Sequence, residues 1–126
     1  MQIPDELKFS KDHEWAKRTD DVVRIGITDY AQDALGDVVF VDLPKVGTAI
    51  VAGASIGEVE STKSVSEIYS PVSGTIAAVN ETLSSSPESI NADPYGAGWI
   101  CDITVSGDGE FSSLLNADAY RSLTNN

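Results

Sequence analysis

Short runs of β-branched and aromatic residues, separated by turn residues, fill most of the chain and restrict it to a β-rich fold. These runs are shorter than ordinary helices, and Gly, Pro, Ser and Asn positions punctuate them. The predicted strands are Leu7–Phe9, Val22–Ile27, Asp37–Leu43, Ala54–Glu60, Val65–Tyr69, Thr75–Asn80 and Trp99–Val105, with Ala49–Gly53 as a weaker strand or loop. Many short strands at short spacing predict a sandwich or a barrel.

Two segments depart from this pattern and predict helices. Thr28 can cap a short helix, Asp29 suits the positive end of its dipole, and Gly36 can end it. From Phe111 the apolar residues recur with a helical period, which predicts a C-terminal helix that frays over residues 124–126. The apolar residues on one face of this second helix are Leu114, Leu115, Ala119 and Leu123.

Two weaker patterns add detail to this prediction. Ser86 and Pro87 resemble a helix start, with Ser86 as the cap and Pro87 in the first turn, and residues 91–96 predict a loop. Residues 46–52 and 72–78 loosely resemble each other, as the two halves of a quasi-symmetric sandwich would.

The composition argues against several classes of function. Twenty acidic residues face eight basic ones, and the net charge of -12 argues against nucleic acid and anionic membranes as partners, since both need clustered Lys and Arg. No apolar run approaches the ~20 residues that span a membrane. The single cysteine, Cys101, is interpreted as a buried core thiol of a reducing compartment. Because no linker-like run interrupts the chain, we expect residues 1–126 to form a single domain.

The N-terminal residues bear on localisation. Met1–Glu6 has neither the basic and apolar segments of a secretory signal nor the Arg-rich composition of a transit peptide. We therefore expect a complete cytoplasmic protein, or a mitochondrial one only if a transit peptide has been removed.

A lysine at a predicted turn is the most informative feature of the chain. Lys63 lies within Ser61–Ser64, between two predicted strands, and no other lysine follows Lys45. Its small polar neighbours would let the active site of another protein approach, and its four-carbon stem gives the amine reach. On composition alone, however, a solvated surface lysine is the commoner explanation.

Motifs of independent catalysis and of metal binding are lacking in the sequence. His13 is the only histidine, so neither a zinc-protease motif nor a nucleophile triad can be assembled. The glycines form no phosphate-binding loop. An independent enzyme is therefore the least favoured interpretation.

The whole chain, from about Leu7 to Leu123, resembles the lipoyl-bearing H proteins of the glycine cleavage system. The resemblance depends on many separate stretches that occur in order in a chain of this length. They are residues 13–15, 25–32, 35–41, 43–44, 46–47, 60–66, 68–74, 87–91, 94–96 and 98–99.

Two other carrier families fit the lysine turn less well. Biotin carrier domains typically place the lysine between two methionines, whereas Thr62 and Ser64 flank Lys63 here. Lipoyl domains of 2-oxoacid dehydrogenases usually have Asp-Lys-Ala at the tip and lack a C-terminal helix.

The resemblance implies both a fold and a cofactor. The implied fold is an all-β lipoyl/biotinyl-carrier sandwich, a flattened barrel-sandwich hybrid with a short insert helix and a C-terminal helix. Lipoate would be attached to Lys63 by an amide bond, and Glu60 would help a lipoate ligase or lipoyl transferase to recognise its target. The protein would be a carrier without catalysis of its own.

The resemblance also implies the partners of this carrier. It would take an aminomethyl group from a pyridoxal-phosphate glycine decarboxylase to a tetrahydrofolate-dependent aminomethyltransferase. A dihydrolipoyl dehydrogenase would then reoxidise the dithiol. The cofactors and the partner enzymes would supply the difficult chemistry.

Carboxylates near the lysine are expected to form a cleft for the cofactor arm. By resemblance the candidates are Glu14, Asp12 and Glu67, because a cationic amine favours nearby carboxylates. Ordinary solvated carboxylates are the alternative at each position. Tyr30 stands where many relatives carry histidine, which puts any role for an imidazole at that position in doubt.

Two further functions remain open at this stage. The chain could be an unmodified interaction module that kept the fold, in which case Lys63 would carry nothing. It could instead be a lipoyl relay, which uses the same lysine to pass lipoate to other carriers.

Overall fold

Two antiparallel sheets and several short helices make up the part of the chain that the structure, a computed structural model, describes: residues 1–107 and 109–124. In chain order the elements are β1 (Lys8–Phe9), β2 (Glu14–Thr19), β3 (Val22–Ile27), α1 (Asp29–Leu35), β4 (Val38–Asp42), β5 (Ala49–Ile50), β6 (Ser55–Ser61), β7 (Val65–Tyr69), β8 (Gly74–Val79), α2 (Thr82–Ser85), α3 (Ser89–Ala92), β9 (Cys101–Thr104), α4 (Gly109–Ser112) and α5 (Ala117–Thr124). Within the described residues, the larger sheet has the order β1-β2-β3-β9-β8-β5 and the smaller one the order β4-β6-β7.

The main core lies between the two sheets. Ile25 and Ile103 from the larger sheet and Val41 and Val59 from the smaller one are buried in the same apolar cluster. Burying such aliphatic side chains stabilises the fold by about 1.5–3 kcal/mol each. The predicted all-β sandwich with a short insert helix is confirmed, and Cys101 is buried in this core as expected.

A second, aromatic cluster lies beside the first. Phe9 stacks on Tyr120 with ring centroids 4.7 Å apart, and Trp15, Leu7 and Ala117 complete the buried set. Trp15 also donates a hydrogen bond from its indole N–H to the Pro94 carbonyl at 2.9 Å. The cluster fixes α5 against β1 and β2.

Helix α1 begins and ends as the sequence predicts. The Thr28 hydroxyl accepts from the Ala31 N–H at 3.2 Å, and Gly36 ends the helix with a φ of 85°. The side chain of Asn91 holds the backbone that follows α1. Its amide donates to the Gly36 carbonyl at 2.9 Å, and its oxygen accepts from the Val38 N–H at 2.8 Å.

The predicted C-terminal helix is confirmed as α5, but its predicted start at Phe111 is wrong. Leu115 exchanges two backbone hydrogen bonds of 2.8 Å with Phe9, and this pairing at the sheet edge separates α4 from α5. The predicted helical face is also wrong, because α5 buries Ala117 and Tyr120. Backbone pairing and aromatic stacking outweigh the period of the small apolar residues. Two residues of the predicted apolar face, Ala119 and Leu123, are exposed on α5.

Smaller differences lie in the other elements. Neither strand β2 nor helix α2 was predicted. Strand β2 begins at Glu14, within the His13–Trp15 stretch. Helix α3 begins at Ser89 after Glu88, without a side-chain cap, so Ser86 is not the capping residue. Helix α3 also takes the first part of the loop predicted at residues 91–96.

Two further predictions concern the pair of similar segments and the C-terminal end of the chain. Residues 46–52 and 72–78 lie next to each other, since β5 pairs with β8. Thr124 is the last residue of α5 rather than a frayed one, and residues 125–126 lie outside the described residues. Among the described residues, no helix has both the length and the apolar character needed to cross a lipid bilayer.

Candidate functional site

A tight turn between β6 and β7 presents Lys63. The Ser61 hydroxyl accepts hydrogen bonds from the Lys63 and Ser64 N–H groups, each at 3.1 Å, and the Ser61 N–H donates to the Ser64 carbonyl at 2.8 Å. Thr62 donates its N–H to the Asp37 carbonyl at 3.0 Å. The turn therefore has a fixed backbone, as serine side chains that bond to nearby amides provide.

The side chain of Lys63 is exposed, and its stem lies over the end of α1. A Cβ atom built on Gly36 would lie 3.3 Å from Lys63 Cε. The backbone of Gly36, with φ 85° and ψ -157°, is in a region open essentially to glycine alone. Among the described residues, the ion pairs involve Arg24 and Arg121 and not Lys63. The ε-amine is therefore accessible to another protein.

Glu60 lies on the outer face of the smaller sheet, three residues before the lysine. Its partners in the sheet register are Phe40 on β4 and Val65 on β7. Both of these apolar side chains are exposed, by 51% and 55% respectively. A carboxylate between two exposed apolar side chains thus lies next to the lysine turn, on one face of the sheet.

A cleft of about 320 Å³ opens between α1 and β7, and we call it the arm cleft. It brings together Asp12, Glu14 and Glu67, the three carboxylates predicted from the sequence. Ser64, the residue after Lys63, also lines it, so the lysine lies at its mouth. The apolar lining residues are Ile27, Ala31, Ala34, Leu35, Val59, Val65 and Ile68.

Glu14 is the buried carboxyl group of the arm cleft, only 2% exposed. It accepts from the Ser10 hydroxyl at 2.6 Å and from the Tyr69 N–H at 3.1 Å, and Tyr69 lies at the end of the edge strand β7. Burial raises the pKa of Glu14 to about 7, against these two hydrogen bonds, and the nearby carboxylate of Asp12 adds to the rise. At neutral pH this carboxyl group is therefore ready to ionise when a cation comes close.

The other two carboxylates are exposed at the rim of the cleft. Glu67 accepts a long hydrogen bond of 3.4 Å from the Tyr69 hydroxyl, and Asp12 lies in the turn before β2. The site thus combines one buried carboxyl group with two solvated ones. Because water screens exposed charges, the electrostatic effect of these two carboxylates within the cleft is weaker than that of a buried one.

Several residues of the site were not found in the sequence. Ser10 and Tyr69 hold Glu14, while Tyr120 lies with its hydroxyl 2.7 Å from His13 Nδ1 and 2.8 Å from Thr28 Oγ1. Tyr69 is 55 residues from Glu14 and Tyr120 is 107 residues from His13, so no local pattern could reveal these two partners. Ser10 is only four residues from Glu14, and its role was simply missed.

Tyr30 takes part in the wall of the arm cleft as an aromatic ring. It stacks on the imidazole of His13, with centroids 4.6 Å apart and an interplanar angle of 29°. His13 itself has a left-handed backbone with a φ of 72°. The site therefore does contain an imidazole, but it comes from His13 in the turn before β2.

Comparisons with known proteins agree with this geometry. The family model described as "Glycine cleavage H-protein" matches residues 7–126. The glycine cleavage system H protein of Mycobacterium avium (strain 104) is 57% identical over 124 residues, which cover 94% of each chain. The one from Mycobacterium tuberculosis (strain H37Rv) is 54% identical over 126 residues, with the same coverage.

A solved structure also matches in fold. The crystal structure of a glycine cleavage system H protein from Mycobacterium marinum superposes with a TM-score of 0.88 at 44% sequence identity. The match covers 95% of this chain and 97% of that one. The resemblance found in the sequence is thereby confirmed over nearly the full length, and the chain belongs to the glycine cleavage H-protein family.

Proposed function

We propose that this chain is the lipoyl-bearing carrier of a glycine cleavage system, with lipoate in amide linkage to Lys63. It would receive the aminomethyl group from the pyridoxal-phosphate glycine decarboxylase and deliver it to the tetrahydrofolate-dependent aminomethyltransferase. Dihydrolipoyl dehydrogenase would reoxidise the dithiol. The observation that carries the proposal is an exposed lysine, on a turn with a fixed backbone, at the mouth of a cleft lined by carboxyl groups.

The residues around Lys63 fit amide attachment of a long arm. The amine is exposed, and its stem rests on Gly36, whose backbone conformation with a φ of 85° favours glycine. Once attached, the lipoyl group supplies a disulfide that accepts and releases the cargo. Tethering raises the effective concentration of this group at each partner's active site, which replaces free diffusion.

The arm cleft would shelter the cationic amine of the cargo. Glu14 would provide the nearest buried carboxylate, and Asp12 and Glu67 would add negative charge at the rim. Since a cation stabilises the ionised form of Glu14, its entry would release a proton from that group. An arm seated against the apolar lining would displace water there, which would limit loss of the cargo by hydrolysis.

The face that carries Glu60 would meet the lipoylating enzyme. A lipoate ligase or lipoyl transferase must reach the Lys63 amine, and the exposed apolar side chains of Phe40 and Val65 lie beside that approach. Glu60 would contribute a charge that identifies the correct lysine. Phe40 and Glu60 of this face do not line the arm cleft, whereas Val65 borders both surfaces.

The mass of the protein tests the attachment site. Expression in cells supplied with lipoate is expected to add one lipoyl mass to the wild-type chain and to the Lys45→Ala control, but none to Lys63→Ala. Gain of the lipoyl mass by Lys63→Ala would overturn the assignment.

The same experiment separates the two alternative functions. An unmodified interaction module gains no mass in cells able to lipoylate. A lipoyl relay gains the mass but does not support glycine cleavage when it is mixed with the other components, whereas a carrier does.

A further inference from the structure

The imidazole of His13 is held between two tyrosines in the wall of the arm cleft. Tyr30 on α1 stacks on its face, and the hydroxyl of Tyr120 on α5 lies 2.7 Å from its Nδ1. Within the described part of the chain, this contact is the one hydrogen bond that the imidazole makes. The C-terminal helix thus reaches a side chain of the cleft.

The hydroxyl groups beyond Tyr120 continue the contact into the start of α1. Tyr120 lies 2.8 Å from Thr28 Oγ1, which accepts from the Ala31 N–H as the helix cap. The residue Thr28 is 0% exposed, so no bulk water reaches its hydroxyl. Each hydrogen in this chain of groups must therefore find its acceptor within it.

Only one direction of donation satisfies every group. If His13 Nδ1 donated to Tyr120, then Tyr120 would donate to Thr28, and the hydrogen of Thr28 would be buried without an acceptor. In the opposite direction, Thr28 donates to Tyr120 and Tyr120 donates to Nδ1, so every hydrogen is used. A buried hydroxyl hydrogen without an acceptor destabilises the fold by about 1–3 kcal/mol, so the direction from Thr28 through Tyr120 to Nδ1 is favoured.

We propose that Tyr120 is a positioning residue that holds His13 as the neutral tautomer with its hydrogen on Nε2. The proposal deepens the carrier function and rests on it, because the imidazole then adds no positive charge to a cleft that receives a cation. It also leaves the Nε2–H available as a donor at the cleft wall.

The surrounding charges would otherwise favour a protonated imidazole. The titratable groups that face His13 or share its cleft are Asp12, Glu14, Tyr30, Glu67 and Tyr120. Burial lowers the pKa of His13, and the carboxylate of Asp12 acts in the opposite direction. A proton on Nδ1 would remove the acceptor of Tyr120, so the hydroxyl chain opposes protonation together with burial.

Tyr95 provides a matched control for Tyr120. Its hydroxyl also meets the start of α1, where it accepts from the Asp29 N–H at 3.0 Å and donates to the Gln2 carbonyl at 2.6 Å. Burial raises the pKa of both tyrosines to about 12. Tyr95 does not line the arm cleft, so removal of its hydroxyl disturbs α1 to a similar degree without touching His13.

The test is nitrogen NMR of the imidazole in the full, unmodified chain. His13 is the only histidine, so the ring signals belong to one residue, and their couplings to the ring C–H groups distinguish Nδ1 from Nε2. We expect hydrogen on Nε2 and a bare Nδ1 in the wild type and in Tyr95→Phe. In Tyr120→Phe, both neutral tautomers are expected. The ratio of protonated to neutral imidazole at fixed pH is expected to rise roughly fivefold, the effect of one ordinary hydrogen bond.

Two substitutions of Thr28 keep the test decisive if Tyr120→Phe does not fold. Both Thr28→Ser and Thr28→Val leave Nδ1 as the acceptor of the Tyr120 hydrogen, so hydrogen is expected to stay on Nε2 in both variants. Hydrogen on Nδ1 in the wild type or in Thr28→Val, or ring signals that Tyr120→Phe does not change, would overturn the proposal. Because the chain carries no lipoate in this experiment, the result is independent of the mass test of Lys63.

Discussion

The lysine turn and the arm cleft are neighbours, yet they are built in different ways. The turn depends mainly on contacts between residues two or three positions apart, in which Ser61 bonds to the amides of Lys63 and Ser64, with one distant contact from Thr62 to Asp37. The cleft depends on contacts between distant segments, such as Glu14 with Tyr69. A local device is thus used to present the lysine, and a tertiary one to build the chamber beside it.

The lysine turn and the arm cleft also differ in how far their charged groups are exposed to water. The turn leaves the Lys63 amine in solvent, where it is easily modified. The cleft instead removes Glu14 from water and shifts its protonation toward neutral pH. Substitution of Glu14 in the cleft should therefore alter the pH dependence of stability, while substitution of Gly36 beneath the turn should lower stability without a pH-dependent component.

The largest effect is expected for the pH dependence that Glu14 confers. Its pKa is raised from 4.5 to about 7 in the folded chain, so the folded state holds its proton more tightly. The stability that this gives is present in full below pH ~4.5 and is lost as the pH rises through ~7. The total corresponds to about 3 kcal/mol.

Urea unfolding of Glu14→Gln at several pH values measures this effect. The difference in the free energy of unfolding between wild type and variant should change by about 3 kcal/mol from pH 4.5 to above 7. Glu67→Gln, which alters an exposed carboxylate of the same cleft, serves as the control and should show little change. A Glu14→Gln difference that stays constant with pH would contradict the burial of an ionisable group there.

A smaller effect is expected when the turn loses its support at Gly36. Alanine there must adopt a backbone region that side chains disfavour, and its Cβ would crowd the Lys63 stem. We expect Gly36→Ala to lower the free energy of unfolding by about 2 kcal/mol, without a pH-dependent component.

The matched control for this substitution is Gly107→Ala. A Cβ at Gly107 meets no atom within 4 Å, and its backbone is not left-handed. Chemical denaturation should find this variant close to wild type. Equal stability losses in the two variants would show that Gly36 has no special conformational role.

Features built from local contacts could be predicted from the sequence. The lysine turn, the caps of α1 and most strands follow from nearby residue types, so local patterns were sufficient. The clustering of Asp12, Glu14 and Glu67 was predicted by resemblance, and the structure places them in one cleft. Their roles toward an arm remain a proposal.

The parts that were missed depend on tertiary contacts. Tyr120 faces inward because it stacks on Phe9, which overrides the helical period that favoured Ala119 and Leu123. Tyr69, which also holds Glu14, is 55 residues away from it. Ser10 is an exception, because it lies four residues before Glu14 and was missed although the contact is local.

The central claim is that the turn delivers an arm that the cleft receives. Amide chemical shifts of the lipoylated chain, recorded before and after loading with the aminomethyl group by the decarboxylase and glycine, test it directly. The amides of Glu14, Ala31 and Tyr69 are expected to shift on loading. Shifts confined to Thr62 and Lys63 would show that the cargo stays outside the cleft and would contradict the claim.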